Sequence, residues 1–179
     1  DGVLTDGGMY YSESGDELKK FNVRDGAGVA LMKHAGLFVG SITGEHGTLI
    51  ANRMRKMGMD FVCLGARNKR LALAQCLEHF GVQSGQVAYI GDEINDLLLI
   101  DQVGVFFSVS DAVAEIRLKA DHVLDCKGGE GALREAAIMI LKSQGLFDMA
   151  VKNYTDQLLR ISDHDSTLAP LFLSLDSKP

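Results

Sequence analysis

A chain of 179 residues, 46% of them hydrophobic, is long enough to bury one core and too short for two ordinary domains. A net charge of −6 argues against nucleic acid or an anionic membrane as the main partner; an anionic ligand would need a local cluster of cations or a metal. No apolar run reaches the ~20 residues of a membrane span, no leader is visible, and Cys63, Cys76 and Cys126 lack CxxC spacing, so the chain reads as a cytoplasmic protein with reduced thiols.

The chain opens DGVLTDGG, two acids among glycines. Residues 7–23, GGMYYSESGDELKKFNV, carry two strand-like pieces around Ser14-Gly15-Asp16 and predict a β-hairpin where a plain α/β unit would place a helix. Short Val, Ile or Phe-rich runs follow at LFVGSIT (37–43), DFVCLG (60–65), QVAYIGD (86–92), VGVFFSV (103–109) and DHVLD (121–125), the pattern of buried strands. Between them, GTLIANRMRKMG (47–58), NKRLALAQCLEHFG (68–81), INDLLLIDQ (94–102) and SDAVAEIRLKA (110–120) repeat apolar residues at helical spacing. A helix entered through glycines, GGEGALREAAIMILKSQG (128–145), leads to a further helical stretch and a Ser/Asp-rich tail, expected to be mobile or docked on a neighbour. The alternation predicts a doubly wound, Rossmann-like α/β domain with a parallel sheet over 1–145, and a C-terminal helix and tail over 146–179.

In such a sheet, ligands bind at the C-terminal ends of the strands. The polar residues there are Asp1 and Asp6, Thr43 after VGSI, Lys69 past CLGARN, and Asp92 with Asp96 after AYI. Carboxylates brought to one crevice repel unless they share a cation, and Asp oxygens suit Mg²⁺. A lysine and a threonine hydroxyl beside that cation make a pocket for a phosphoryl group. Each residue also has an ordinary structural use: GD is a common turn, Thr43-Gly44 a possible helix cap, Lys69 a solvated lysine, and the five histidines surface or packing residues. The order Asp, Thr, Lys, Asp at successive strand ends favours the shared site.

DGVLTDG, SITGE, NK and YIGDEINDLLLI resemble the four motifs of the haloacid dehalogenase superfamily of phosphatases. GGMYY…GDELKKFNVRDGAGV and GGEGALREA narrow the resemblance to the branch acting on phosphorylated 3-deoxy-2-ulosonic acids, over residues 1 to about 145. The resemblance implies that Asp1 is the second Asp of an Asp-x-Asp-Gly motif, the general acid/base. It places the nucleophilic Asp two positions upstream, at the end of a central strand also absent from this sequence, and so implies a longer protein.

The implied mechanism has two steps. The upstream Asp takes the phosphoryl group while Asp1 protonates the departing sugar oxygen; Asp1 then activates water to hydrolyse the aspartyl phosphate. Mg²⁺ is expected on the upstream Asp, the Asp1 carbonyl and Asp92, supported by Asp96. Thr43 and Lys69 would bind phosphoryl oxygens. On the substrate side the resemblance places Asn22, Val23, Arg24, Asp25, Gly26, Glu45, Arg53 and Lys69, with Arg24 and Arg53 suited to a sugar carboxylate. It also implies a homotetramer, with the hairpin in place of a cap domain and neighbouring subunits closing each site.

Two departures bear on substrate. Octulosonate phosphatases of the branch carry Arg where Glu45 stands, and Arg is common where Glu130 stands. Both changes resemble the nine-carbon, sialic-acid-like group and tilt the expectation toward nonulosonate 9-phosphates over 3-deoxy-D-manno-octulosonate 8-phosphate. The competing readings are a non-catalytic, oligomerising domain of a cytidylyltransferase and a phosphate-receiver domain. Four retained polar groups argue against the first; the order of acids and lysine argues against the second.

Overall fold

The computed structural model describes residues 1–160, so the tail's expected mobility or docking lies outside the described residues. Strands β1 (Tyr10–Tyr11) and β2 (Glu17–Leu18) form the antiparallel hairpin, with Tyr10 opposite Leu18 and Tyr11 opposite Glu17. A single antiparallel bridge between Thr5 and Phe21 closes its base. The turn is fixed by the Ser12 and Ser14 hydroxyls, which both donate to the Asp16 carboxylate, and by Gly15.

The remaining strands are parallel. Strand β3 (Gly40–Ile42) pairs with β4 (Phe61–Cys63), and β5 (Ala88–Gly91) pairs with β6 (Val105–Ser108), which pairs with β7 (His122–Val123). All five lie inside the runs read from the sequence but are shorter. Among the described residues, β3 and β5 each have a hydrogen-bonded neighbour on one side only. Every residue of β3 is only half-buried, although a strand in the middle of a doubly wound sheet is covered on both faces.

Among the described residues six α-helices pack with the strands: α1 (Val23–His34), α2 (Thr48–Met57), α3 (Lys69–Phe80), α4 (Ala114–Arg117), α5 (Ala132–Ser143) and α6 (Phe147–Arg160). Helices α2 and α3 end at Gly58 and Gly81 in the left-handed region, as the closing glycines of those segments predicted. Two expected helices differ. Residues Ile94–Gln102 wind as a tighter 3₁₀ helix, and 110–120 holds only the four-residue α4. The first difference follows from Asp96, whose carboxylate turns back onto the amides of Asp92 and Glu93 and tightens the entry.

Helix α1 begins inside a segment read only as substrate-binding. Asn22 caps it, its Oδ1 accepting from the Arg24 amide at 2.9 Å. Glycine in a helix interior costs roughly 1 kcal/mol relative to alanine, yet α1 holds Gly26 and Gly28. At Gly28 the reason is packing: a Cβ would stand 2.9 Å from the Arg134 Cα of α5.

The core has two lobes. Val29, Met32, Val39, Met54, Leu141 and Ala150 bury one against α1, α2, α5 and α6. Leu99, Phe106, Phe107, Val109, Ile116 and Leu124 bury the other around β5 to β7. No helix among the described residues is long and apolar enough to cross a membrane.

Candidate active site

The ends of β3 and β5 meet at the start of the chain. Asp1 lies between them: the Thr43 hydroxyl, just past β3, donates toward Asp1 Oδ2 at 3.4 Å. Gly2 lies against the Asp92 carboxylate just past β5, so closely that a Cβ would overlap it, and its φ of +67° is one that glycine adopts without strain. Thr5, buried, holds the loop by accepting from the amides of Gly2 at 3.2 Å and Gly7 at 3.4 Å. Behind it the 128–131 glycine loop presses close, with the Gly129 amide donating to the Val3 carbonyl at 2.9 Å.

Thr43 is buried and is itself fixed: its Oγ1 accepts from the Glu45 amide at 3.1 Å, and its own amide donates to the Cys63 carbonyl at 2.9 Å. Lys69 is the first residue of α3, entered through Asn68, whose side chain accepts from the Leu71 amide. Only 8% exposed, Lys69 directs its ammonium to Asp96 Oδ1 at 2.5 Å. A lysine buried this far persists only if its charge is matched, and Asp96 matches it.

Asp92 and Asp96 have different environments. Asp96 is 1% exposed and accepts from Lys69, from the Tyr89 hydroxyl at 2.6 Å, and from the amides of Asp92 at 3.0 Å and Glu93 at 3.3 Å. Burial, followed by the Asp96 charge, pushes the Tyr89 phenol well above its usual range, so it stays a donor. Asp92 is half-buried, and its carboxylate accepts no hydrogen bond among the described residues. Burial first, then repulsion from Asp96, raises it to about 6, against the pull of the Asp1 α-amino group and Lys69.

A partnerless carboxylate at a strand end, facing a main-chain turn, is the donor set a hard divalent cation seeks. Among the described residues no group of three or more His, Cys, Asp or Glu side chains is placed to hold a metal ion. The Asp92 carboxylate would therefore need main-chain oxygen, such as that of Asp1, to complete such a set. Asp96, expected from the sequence to support the metal from nearby, accepts from four donors, Lys69 among them.

The substrate-side residues divide in the same way. Arg53 Nη2 donates to the Asn22 carbonyl at 3.0 Å, and its guanidinium lies 5.6 Å from the centroid of the Phe21 ring. Asp25, 1% exposed, accepts from the Arg134 amide at 3.1 Å at the entry of α5 and feels the Arg53 charge; burial raises its carboxyl. Asn22 caps α1 and its amide reaches the Gly129 carbonyl at 3.4 Å. These residues bind α1, α2 and the glycine loop together. Gly26 is half-buried, and Val23 and Arg24 are exposed at the first turn of α1, where Arg24 makes no side-chain polar contact among the described residues.

Glu45 does face the site. A crevice of about 100 Å³ is lined by Asp1, Thr5, Gly7, Gly8, Met9, Lys19 and Glu45. Lys19 escaped the sequence reading. From the position just past β2 its ammonium reaches Asp1 Oδ1 at 3.0 Å, Glu17 at 3.2 Å and Glu45 at 3.8 Å. The signal was present in GDELKK: residues two apart in an extended run share a face, so a strand read through Lys19 would point Glu17 and Lys19 together, away from Leu18.

Known proteins are similar to this chain in sequence and in fold. Residues 47–135 match the haloacid dehalogenase-like hydrolase family. The 3-deoxy-D-manno-octulosonate 8-phosphate phosphatase KdsC of Haemophilus influenzae is 38% identical over 153 residues, covering 84% of this chain and 85% of that protein. The crystal structure of the Yersinia pestis 3-deoxy-D-manno-octulosonate 8-phosphate phosphatase superposes with a TM-score of 0.80 at 38% identity, over 83% of this chain and 80% of that one. The Moraxella catarrhalis phosphatase, crystallised with magnesium, phosphate and KDO, gives a TM-score of 0.82 at 32% identity, over 86% and 88%. With the four strand-end groups in place and more than four-fifths of the chain matched, this protein belongs to the KdsC family of haloacid dehalogenase-like sugar-phosphate phosphatases.

Proposed function

We propose that the chain hydrolyses the phosphomonoester of a 3-deoxy-2-ulosonic acid, with Asp1 as general acid and base. The single observation that carries this reading is the meeting of Asp1, Thr43 and Asp92 at the ends of β3 and β5, with the Asp92 carboxylate left without a partner. The KDO and phosphate bound by the Moraxella protein support the substrate class.

In the first step an aspartate carboxylate two positions ahead of Asp1 takes the phosphoryl group, and Asp1 gives its proton to the ester oxygen as the P–O bond breaks. In the second, Asp1 removes a proton from the water that attacks the aspartyl phosphate. Thr43 offers its hydroxyl to a phosphoryl oxygen, and Lys69, fixed by Asp96, offers its ammonium to another. Asp92 and the Asp1 carbonyl, with the upstream aspartate, would hold a Mg²⁺, which supplies charge neutralisation between the carboxylates and the phosphoryl group.

The sugar's length is read at Glu45. Its carboxylate lines the crevice and sits 3.8 Å from Lys19, beyond hydrogen-bond distance, so it is free to accept from sugar hydroxyls. This favours a nine-carbon 9-phosphate. The names of the relatives favour the eight-carbon 8-phosphate. The full-length enzyme, assayed for phosphate release from both esters with Mg²⁺ and again with chelator, should hydrolyse at least one in a chelator-sensitive way. Release that survives chelation, or no release from either ester, would overturn the reading. We propose further that the protein acts as a homotetramer in which neighbouring hairpins complete the sites, a state that sedimentation would detect.

A further inference from the structure

Among the described residues, Lys19 is the one cation whose side chain pairs with the Asp1 carboxylate, and the mechanism above gives it no task. Its side chain is 7% exposed although it directly follows the two-residue strand β2 of a surface hairpin. An ammonium so placed must be matched, and of its three carboxylate neighbours Asp1 is the nearest. The two oxygens of Asp1 are thereby made unequal. Oδ1 accepts from Lys19 at 3.0 Å, whereas Oδ2 faces Thr43, on the side where the phosphoryl group would bind.

We propose that Lys19 is a positioning residue that occupies Asp1 Oδ1 and so commits Oδ2 to carry the proton delivered to the leaving sugar oxygen. The inference rests on the reading of Asp1 as general acid. In the step concerned, the bond between phosphorus and the ester oxygen breaks and the electron pair departs on that oxygen. The proton on Asp1 Oδ2 joins it, and the phosphoryl group passes to the upstream aspartate carboxylate. Glu17 of β2, two residues before Lys19, holds its ammonium at 3.2 Å. The hairpin thus delivers a charge pair to the general acid as well as occupying the place of a cap.

A misplaced general acid matters most for a leaving group that cannot depart unprotonated. A sugar alkoxide is such a group, and p-nitrophenolate is not. In the full-length enzyme, Lys19→Met should lower kcat/KM for the ulosonate phosphate by about ten-fold or more, part of the contribution of a general acid. The same variant should change kcat/KM for p-nitrophenyl phosphate by no more than about two-fold, a threshold set by the leaving group's independence of the proton. KM for the sugar phosphate should hold steady, and Lys19→Arg should restore most of the loss. Retained turnover of p-nitrophenyl phosphate also reports that the variant is folded.

Equal losses on both esters would reduce Lys19 to a strut of the hairpin and sink the proposal. A loss carried by KM for the ulosonate alone would make it a substrate contact, with the same consequence. Failure of the unmutated enzyme on both esters would instead remove the phosphatase reading itself, and the inference with it.

Discussion

Asp92 shows how a site residue can oppose the fold that carries it. Its carboxyl, ordinarily near 3.8, is raised to about 6 by burial and by Asp96. The folded chain therefore holds a proton there that the unfolded chain has released, and between the two values stability falls as pH rises. The contribution is whole below about pH 4 and gone above about 6. In chelator, Asp92→Asn should raise the melting temperature at pH 8 and lose that advantage near pH 4. Acids held below their usual range, such as Asp6 and Asp16, have the opposite dependence but are common to both proteins, so the difference between melts isolates Asp92. A variant that melts lower at pH 8 would show that Asp92 is satisfied without metal. Glu45 is tested by chemistry: Glu45→Arg should depress kcat/KM on a nonulosonate 9-phosphate and spare or raise it on the octulosonate 8-phosphate. The expected several-fold discrimination corresponds to about 1 kcal/mol, the worth of one polar contact; equal losses on both sugars would leave the nine-carbon preference without support. What was legible in the sequence was position: strand ends in a doubly wound sheet put Asp1, Thr43 and Asp92 together. Partner choice was not. That Asp96 meets Lys69 and Arg53 meets the Asn22 carbonyl depends on groups brought from elsewhere in the chain.

At the scale of elements, the α1–α5 crossing links the substrate-side motif to the glycine loop. Helix α1 was hard to read because Gly26 and Gly28 dilute its apolar period, while the Asn22 cap resembles a binding residue. The glycines have a tertiary explanation where local propensity has none: Gly28 lets α5 approach, and Asp25 accepts from the Arg134 amide in the same contact. Gly28→Ala should therefore destabilise, even though alanine favours a helix. Overpacking costs about 1–3 kcal/mol, against the roughly 1 kcal/mol that the exchange gains in an exposed helix. The net fall in denaturant midpoint should come with reduced turnover, because α5 enters through the loop that backs Val3 and Thr5. An unchanged or raised midpoint would mean that α5 yields at no cost. The tightened helix at 94–102 follows the same rule: its apolar spacing was right, but Asp96 folding back onto two amides decides its pitch.

For the whole molecule, the open question is what separates the two parallel sheets. Strands β3 and β5 each lack a neighbour on one side among the described residues, and Asp1 emerges between their ends, touching Thr43 past one and adjoining Asp92 past the other. Unpaired main-chain groups along two facing edges are costly unless they find partners, and an open edge invites foreign strands. One parallel strand ahead of Asp1 would satisfy both edges and join the sheets as β4-β3-new-β5-β6-β7. It would also bring the upstream aspartate to the phosphoryl pocket. The alternation of strands and helices made the parallel sheet readable, whereas the unpaired edges of β3 and β5 appear only once the strand pairing is known. A chain carrying an apolar strand ending in Asp-x ahead of Asp1 should show slowed amide exchange at Gly40–Ile42 and Ala88–Gly91 relative to the chain that starts at residue 1. β6 and β7, already paired, should change less. The stability gain should appear in the same comparison as a higher melting temperature. If exchange at β3 and β5 is the same in both chains, the added segment lies elsewhere, and the nucleophile's assigned place between Thr43 and Asp92 is lost with it.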